Sequence, residues 1–229
     1  MEDKQQLWIA FGDIHGQAVG ADCVPGLAQA RGVILPGDLT AHGGRSEAAM
    51  VLGKIQVKNS NILAQIGNMD PPQVATLLSE LGMNIHARAR ALDPEFPGLK
   101  IIGVGASTFT PFNTPSEVSD EQIARWLEEA LAEAGDYDRL ILVAHDPPFG
   151  SAVDMLPSGQ HVGSKSVRDF IEKVQPELCL CGHIHESRAL DTIGRTVVVN
   201  PGPFFQNGAH VRITITADNS GAELAECSR

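Results

Sequence analysis

Short apolar runs bounded by glycine, proline or a carboxylate recur along the chain. In the first half they alternate with stretches whose apolar residues fall three and four positions apart. Leu7–Phe11, Val33–Leu35, Asn61–Ile66, Leu99–Val104, Leu140–Val143 and Leu178–Cys181 read as buried strands. Residues 84–105 read as two strands around the turn-rich 93–98. A helix is expected over 45–56, carrying Met50, Val51 and Ile55. Another is expected from Pro71, with Asp70 as its N-cap, Val74, Leu77, Leu78 and Leu81 on one face, and Gly82 as its stop. Ser119 and Gln122 have capping-box spacing before a helix that buries Ile123, Trp126, Leu127, Ala130 and Leu131 and ends at Gly135. Ser164 caps a further helix with Val167, Phe170, Ile171 and Val174, and Pro176 lies beyond its end. Residues 17–30 are small and apolar, a candidate helix broken up by Gly20, Pro25 and Gly26. Thr196–Val199 and His210–Thr216 are β-rich, and the polar tail after Ala217 is expected to fray. Helices alternate with strands early and strands dominate late. Two packed sheets with helices outside, forming one domain over residues 1–229, account for that order.

The strand ends carry the chemistry. Gly12-Asp13-Ile14-His15-Gly16 follows the first strand and can aim a carboxylate and an imidazole at one point. An Asp-x-His fragment is common by itself. Here four later fragments also end strands in Asp, Asn or His: Gly37-Asp38, Gly67-Asn68-Met69-Asp70, Ala144-His145-Asp146 and Gly182-His183-Ile184-His185. Strand ends gather at one edge of an α/β sheet, where ligands bind. Asp13, His15, Asp38, Asn68, His145, His183 and His185 form a mixed donor set that suits borderline divalent ions such as Mn²⁺, Fe²⁺, Zn²⁺ or Ni²⁺. They are too many for one ion and suit two sharing a carboxylate. Such pairs, about 3.5–4 Å apart, clamp both oxygens of an in-line phosphoryl displacement and acidify a shared water.

Charge and cysteine content narrow the picture. A net charge of −11 argues against electrostatic binding of a nucleic-acid polymer, while a metal could still supply local positive charge for a small nucleotide. No apolar stretch approaches a membrane span, and Met1–Gln6 lacks a basic leader region, so no membrane partner and a cytoplasmic location are expected. Cys179 and Cys181 share one face of a strand; with no second such pair to complete a tetrahedral site, they read as buried reduced thiols.

The ordered series GDIHG, GDLT, GNMD, AHDPP and GHIHES, over residues 12–187, resembles the calcineurin-like metallophosphoesterase family, and Asn200-Pro201-Gly202 is similar to the turn that follows these motifs in bacterial and archaeal members. The resemblance implies a four-layer αββα sandwich with two mixed sheets flanked by helices. It implies a first ion held by Asp13, His15, Asp38 and His185, and a second held by Asp38, Asn68, His145 and His183. Asp38 bridges, and a hydroxide between the ions is the nucleophile.

One position departs from the pattern. The family usually has a histidine where this chain has Met69, and that side chain stabilises the transition state or protonates the leaving group. A thioether does neither, and loss of a general acid costs about 10²–10⁴ in rate. Two histidines could substitute: His42, close after Asp38, and His161, in the long candidate substrate loop 146–163 just before the Ser164 helix start. Asp70 reads either as a catalytic residue or as a helix cap. His86 and His210 fall outside the motifs and are assigned no role. The expectation is a binuclear phosphoesterase acting on a small phosphodiester or nucleotide-type substrate. The alternatives are a phosphomonoesterase or protein phosphatase on the same metals, and a metal-binding scaffold with little catalysis.

Overall fold

The computed structural model describes residues 5–227; Met1–Lys4, part of the amino-terminal segment read above, and Ser228–Arg229, the end of the tail, lie outside them. Strand β1 (Gln6–Ala10) leads through a 3₁₀ turn (Ala18–Cys23) to β2 (Gly32–Leu35), α1 (Arg45–Gln56), β3 (Ile62–Ala64) and α2 (Pro72–Glu80). A hairpin of β4 (Arg88–Asp93) and β5 (Phe96–Val104) follows, then the short strands β6 (Ser107–Thr108) and β7 (Glu117–Val118). Next come α3 (Asp120–Ala134), β8 (Arg139–Ala144), α4 (Lys165–Val174), β9 (Leu178–Leu180), β10 (Ala189–Ile193) and β11 (Thr196–Asn200). A single helical turn, α5 (Phe204–Asn207), precedes β12 (His210–Ile215) and β13 (Ser220–Ala225).

Two mixed sheets result, ordered β13-β12-β1-β2-β3 and β10-β11-β9-β8-β5-β4. β1, β2 and β3 run parallel, as do β5, β8, β9 and β11; the outer strands are antiparallel. Strand alternation sorts each run into two layers. In β1 and β2, Ile9, Val33 and Leu35 pack with Val51, Leu52, Ile55, Val74 and Leu78 of α1 and α2. Their neighbours Trp8, Ala10 and Ile34 turn the other way, onto Ile101, Ile141, Val143, Leu178 and Leu180 of the second sheet. Leu140, Leu142 and Ala144 face Ile123, Leu127, Val167 and Ile171 of α3 and α4. Burial on both faces explains why these strands read as continuous apolar runs. The layers are helix, sheet, sheet, helix, as the motif resemblance implies.

Several elements differ from expectation. Residues 17–30 make only the 3₁₀ turn and further turns, with Pro25 and a Gly26 at positive φ (79°) breaking any continuous helix. β3 stops at Ala64, and the buried Gln65 amide instead donates to Pro36 O (3.0 Å) and Val104 O (2.9 Å), tying the two sheets together. Asp70 does not cap α2; the N-cap is Pro71, and the Asp70 carboxylate is used elsewhere. Ser119 accepts from Gln122 N as a cap should, but the Gln122 side chain accepts from Arg125, so the box is half-formed. Met50 and Leu81 are exposed, at the margins of their helix faces. The tail does not fray: β13 pairs with β12 from Ser220 to Ala225, and Cys227 joins Cys23 in a disulfide. Cys179 and Cys181 are buried free thiols, as expected.

Candidate metal centre

All seven ligand candidates leave the carboxyl ends of parallel strands. Asp13 and His15 follow β1, Asp38 follows β2, Asn68 follows β3, His145 follows β8, and His183 and His185 follow β9. Four of them hold left-handed backbones: Asp13 (φ 51°), His15 (47°), Asp38 (52°) and His183 (68°). Each such residue costs about 1–3 kcal/mol unless its surroundings over-determine it, and strain of this kind concentrates at functional sites. The surroundings are visible. Asp13 N donates to Gly37 O (3.0 Å), while Ile14 N (2.8 Å) and His15 N (3.0 Å) donate to Asp38 O, zipping the first two loops. Gly67 is required by close approach, since a Cβ there would lie 2.1 Å from Asp38 Oδ1 and 2.4 Å from Asp38 N.

The side chains converge. His15 Nε2 and His185 Nε2 are 3.3 Å apart, and His185 Nε2 is 3.4 Å from Asp13 Oδ1. Asp38 Oδ2 lies 3.8 Å from His15 Nε2 and 3.5 Å from His145 Nε2, between the two rings as a bridging carboxylate would. Met69 N donates to its other oxygen at 2.8 Å. Asn68 Oδ1 is 3.0 Å from His145 Nε2. Among the described residues, two sets bring ligand atoms within 4.8 Å of one another: Asp13, His15 and His185, and Asp13, Asp38 and His145. Asp13 thus belongs to both. His183 joins neither set; its backbone N donates to Asp13, and its ring lies 5.3 Å from that of His145.

Burial raises the Asp13 carboxyl, but the His185 hydrogen bond and the nearby imidazoles outweigh it and bring the pKa to about 2. Burial lowers His145, but Asp38 and Asp13 overcome it and lift the group to about 9. Burial depresses His15 and His183, whereas for His185 the Asp13 hydrogen bond overcomes burial and raises it. Carboxylates and imidazoles crowded at these distances are the nitrogen and oxygen donors that a borderline divalent ion takes, so the residues fit a metal.

The candidate catalytic residues are placed differently. Asp70 is wholly buried and accepts from Leu39 N, Thr40 N, Thr40 Oγ1 and Gly67 N at 2.8–3.0 Å. It laces the Asp38 loop to the Asn68 loop. Burial and the Asp38 charge raise its pKa to about 7. His161 lies outside the cluster, 35% exposed, its Nδ1 2.7 Å from Asp154 Oδ1. Asp154 is fully buried and also accepts from Gly150 N, Ser151 N and Gly163 N. This partner was not visible in the sequence. The His161 loop is tied to the segment just after His185 through Met155, which pairs with His161 and whose carbonyl accepts from Ser187 Oγ at 2.6 Å. His42 is exposed. Phe205, also unforeseen, sets its ring edge-on to His15 (5.4 Å) and His185 (5.8 Å); the Asn200-Pro201-Gly202 turn just before it was the available signal.

The fold recurs in known proteins. The family model described as metallophosphoesterase, calcineurin superfamily, matches residues 119–220. The chain is 35% identical over 175 residues to the uncharacterized protein MJ1162 of Methanocaldococcus jannaschii, covering 75% of this chain and 77% of that one. The crystal structure of TT1561 of Thermus thermophilus superposes with a TM-score of 0.68 at 16% identity, covering 96% of this chain and 99% of the other. A putative 5′-nucleotidase from Staphylococcus aureus gives 0.54 at 15% identity, covering 98% of this chain and 54% of that one. With strand-end donors converging at the edge of an αββα sandwich, and a relative of this identity along most of its length, the chain belongs to the calcineurin superfamily of metallophosphoesterases.

Proposed function

We propose that this protein is a phosphoric ester hydrolase with two divalent ions, acting on a small phosphodiester or nucleotide-type substrate. The observation that carries the reading is the convergence of two ligand sets that share Asp13, with Asp38 Oδ2 between His15 and His145. His15 and His185 would serve one ion, His145 and Asn68 the other, and Asp38 and Asp13 both; His183 would complete the second set. Bound ions would acidify a water and neutralise phosphate oxygens. Mn²⁺, Fe²⁺, Zn²⁺ and Ni²⁺ all suit these donors. Asp70 acts as a positioning residue, holding the loops of Asp38 and Asn68 in register. Met69 stands where a proton donor is expected, and His161 is the proposed replacement: the bond from Nδ1 to buried Asp154 orients the ring and leaves Nε2 as the atom that would carry the proton, donating it when the ring is in its imidazolium form.

Met69 also favours a second reading, a metal-binding scaffold with little turnover. Among the described residues no helix is long and apolar enough to cross a membrane; the proposed setting is the cytoplasm and the proposed partner a small phosphorylated molecule. The test is hydrolysis of bis-p-nitrophenyl phosphate by chelator-stripped protein with Mn²⁺, Ni²⁺, Zn²⁺ or Mg²⁺ restored. This leaving group needs no acid. Metal-dependent turnover supports the diesterase; two bound ions without turnover on mono- or diesters favour the scaffold.

A further inference from the structure

Among the described residues nine large hydrophobic side chains are exposed, and four of them, Phe109, Phe112, Phe149 and Met155, lie on the two loops that leave β5 and β8 at the metal-centre edge. Phe109 is 72% and Phe112 79% exposed. Scattered exposed apolar residues are ordinary; four of them on two loops that border one candidate site make that edge a candidate interaction surface.

The loop that bears Phe109 and Phe112 is heavily braced. Glu117 accepts from Thr110 N (3.2 Å), Thr110 Oγ1 (2.5 Å), Thr114 N (2.9 Å) and Thr114 Oγ1 (2.7 Å). The loop is also fastened to the centre. Asn68 Nδ2 donates to Thr114 Oγ1 at 2.8 Å, Ser116 N to Asn68 O at 2.9 Å, and Ser116 Oγ to Asp70 O at 2.6 Å. Thr108 N and Oγ1 both donate to Asp146 Oδ2 at 2.8 Å, which stitches it to the loop that carries Phe149. A loop fixed this firmly holds its phenyl rings in solvent at little further entropic cost to a ligand. Between residues 105 and 118 the one charged side chain is Glu117, already consumed by the two threonines. Such a surface suits a flat, uncharged group, with the phosphate directed to the metal centre.

We propose that Phe109 and Phe112 form a stacking platform for a planar aromatic group, a nucleobase in chemical class, on the non-leaving side of the phosphoester. The platform rests on the hydrolase reading and gives that reading its specificity. Base–aromatic stacking is strong enough to be read as roughly a tenfold or greater change in binding.

The test compares two diesters with the same p-nitrophenol leaving group, one carrying thymidine and the other methyl, on Mn²⁺-loaded full-length protein and its Phe109→Ala/Phe112→Ala variant. The platform predicts that the variant raises KM for the thymidine ester about tenfold, leaves kcat unchanged, and leaves both constants for the methyl ester alone. Equal effects on the two esters overturn it. So does a variant that turns a dimer into a monomer in sedimentation while both KM values hold, since the rings then belong to a contact between copies. Should neither ester turn over, the hydrolase reading fails alone, and calorimetry with thymidine monophosphate decides the platform: binding about tenfold weaker in the variant supports it, and equal or absent binding overturns it.

Discussion

Reducing or removing the Cys23–Cys227 disulfide is predicted to lower global stability by about 3–5 kcal/mol. The bond closes a loop across a sequence separation of 204, nearly the whole chain. In the chain-entropy account, cross-linking removes about 2.1 + 1.5R ln n cal/mol/K from the denatured state, about 5 kcal/mol at 25 °C for a loop of this length. Residual structure in the denatured chain lowers the return. The alternative, that the bond only pins a loose end, is disfavoured by what already holds that end. β13 keeps six register pairs with β12, and Arg139 donates to Thr216 O (2.8 Å), Ala217 O (3.0 Å) and Ser220 Oγ (2.8 Å) in the connecting turn. The native state therefore survives reduction while the unfolded state gains freedom. Urea unfolding of oxidised protein, reduced protein and a Cys23→Ser/Cys227→Ser variant should show a lower midpoint in the last two, with a larger m-value as the denatured chain expands. Thiol titration in denaturant supplies the control, rising from two reactive cysteines to four on reduction. Unchanged midpoints in fully reduced protein would refute the reasoning. Disulfides are rare in the reducing cytoplasm of mesophiles and common within hyperthermophiles, so the same titration on freshly lysed cells also tests the proposed location.

Asp38→Ala or His145→Ala should abolish metal-dependent turnover while circular dichroism stays native; undiminished turnover in either would sink the proposed ligand assignment. Met69→His should raise turnover on poor leaving groups more than on good ones, and His161→Ala should do the reverse, slowing alkyl esters while sparing p-nitrophenyl esters; equal effects on both classes would remove either residue from the leaving-group position. His86 supplies a pH prediction. Burial lowers its pKa from 6.5 to about 4, and its Nδ1 accepts from Gly105 N at 2.9 Å beside the Trp126 ring. The unfolded chain takes up this proton first as pH falls, so the contribution is full above 6.5 and lost on the way down to about 4, amounting to at most about 3 kcal/mol. His86→Gln should flatten that part of the stability–pH curve, and an unchanged curve would show that His86 is not the group responsible.

The proposed metal ligands were legible because the fold places function at a predictable covalent position. A parallel strand buried on both faces must be apolar until it ends, so the first polar residue after it stands at the sheet edge, as Asp13, Asp38, His145 and His183 do; after β3 the first polar residue is the buried Gln65, and Asn68 follows three positions later. What stayed hidden depends on distant pairing. Asp70 resembled an N-cap because a carboxylate before Pro71 has that local meaning; its actual donors, Leu39 N and Thr40 N, lie about thirty residues earlier and mark no pattern. Asp154 carries no signal linking it to His161 until the loop folds back on itself. The joining of Cys23 to Cys227, at a separation of 204, likewise carries no local signal. The tail misled in a different way. Ser220–Ala225 is an edge strand with one wet face, and its Gly221, Ala222 and Glu223 lack the apolar density that marks the inner strands. Local pattern thus shows which residues end a buried strand. Those that hold the strand ends to one another, Asp70 and Gln65 foremost, become visible only with the sheets assembled. The Asp38 loop is accordingly held from two sides, by ligand convergence and by the buried Asp70 lacing beneath it. Asp70→Asn would keep the shape but put an amide among the backbone donors, so it should weaken metal binding without touching a proposed ligand; metal titration of that variant separates a positioning residue from a catalytic one, since a purely catalytic Asp70 would leave the affinity unmoved.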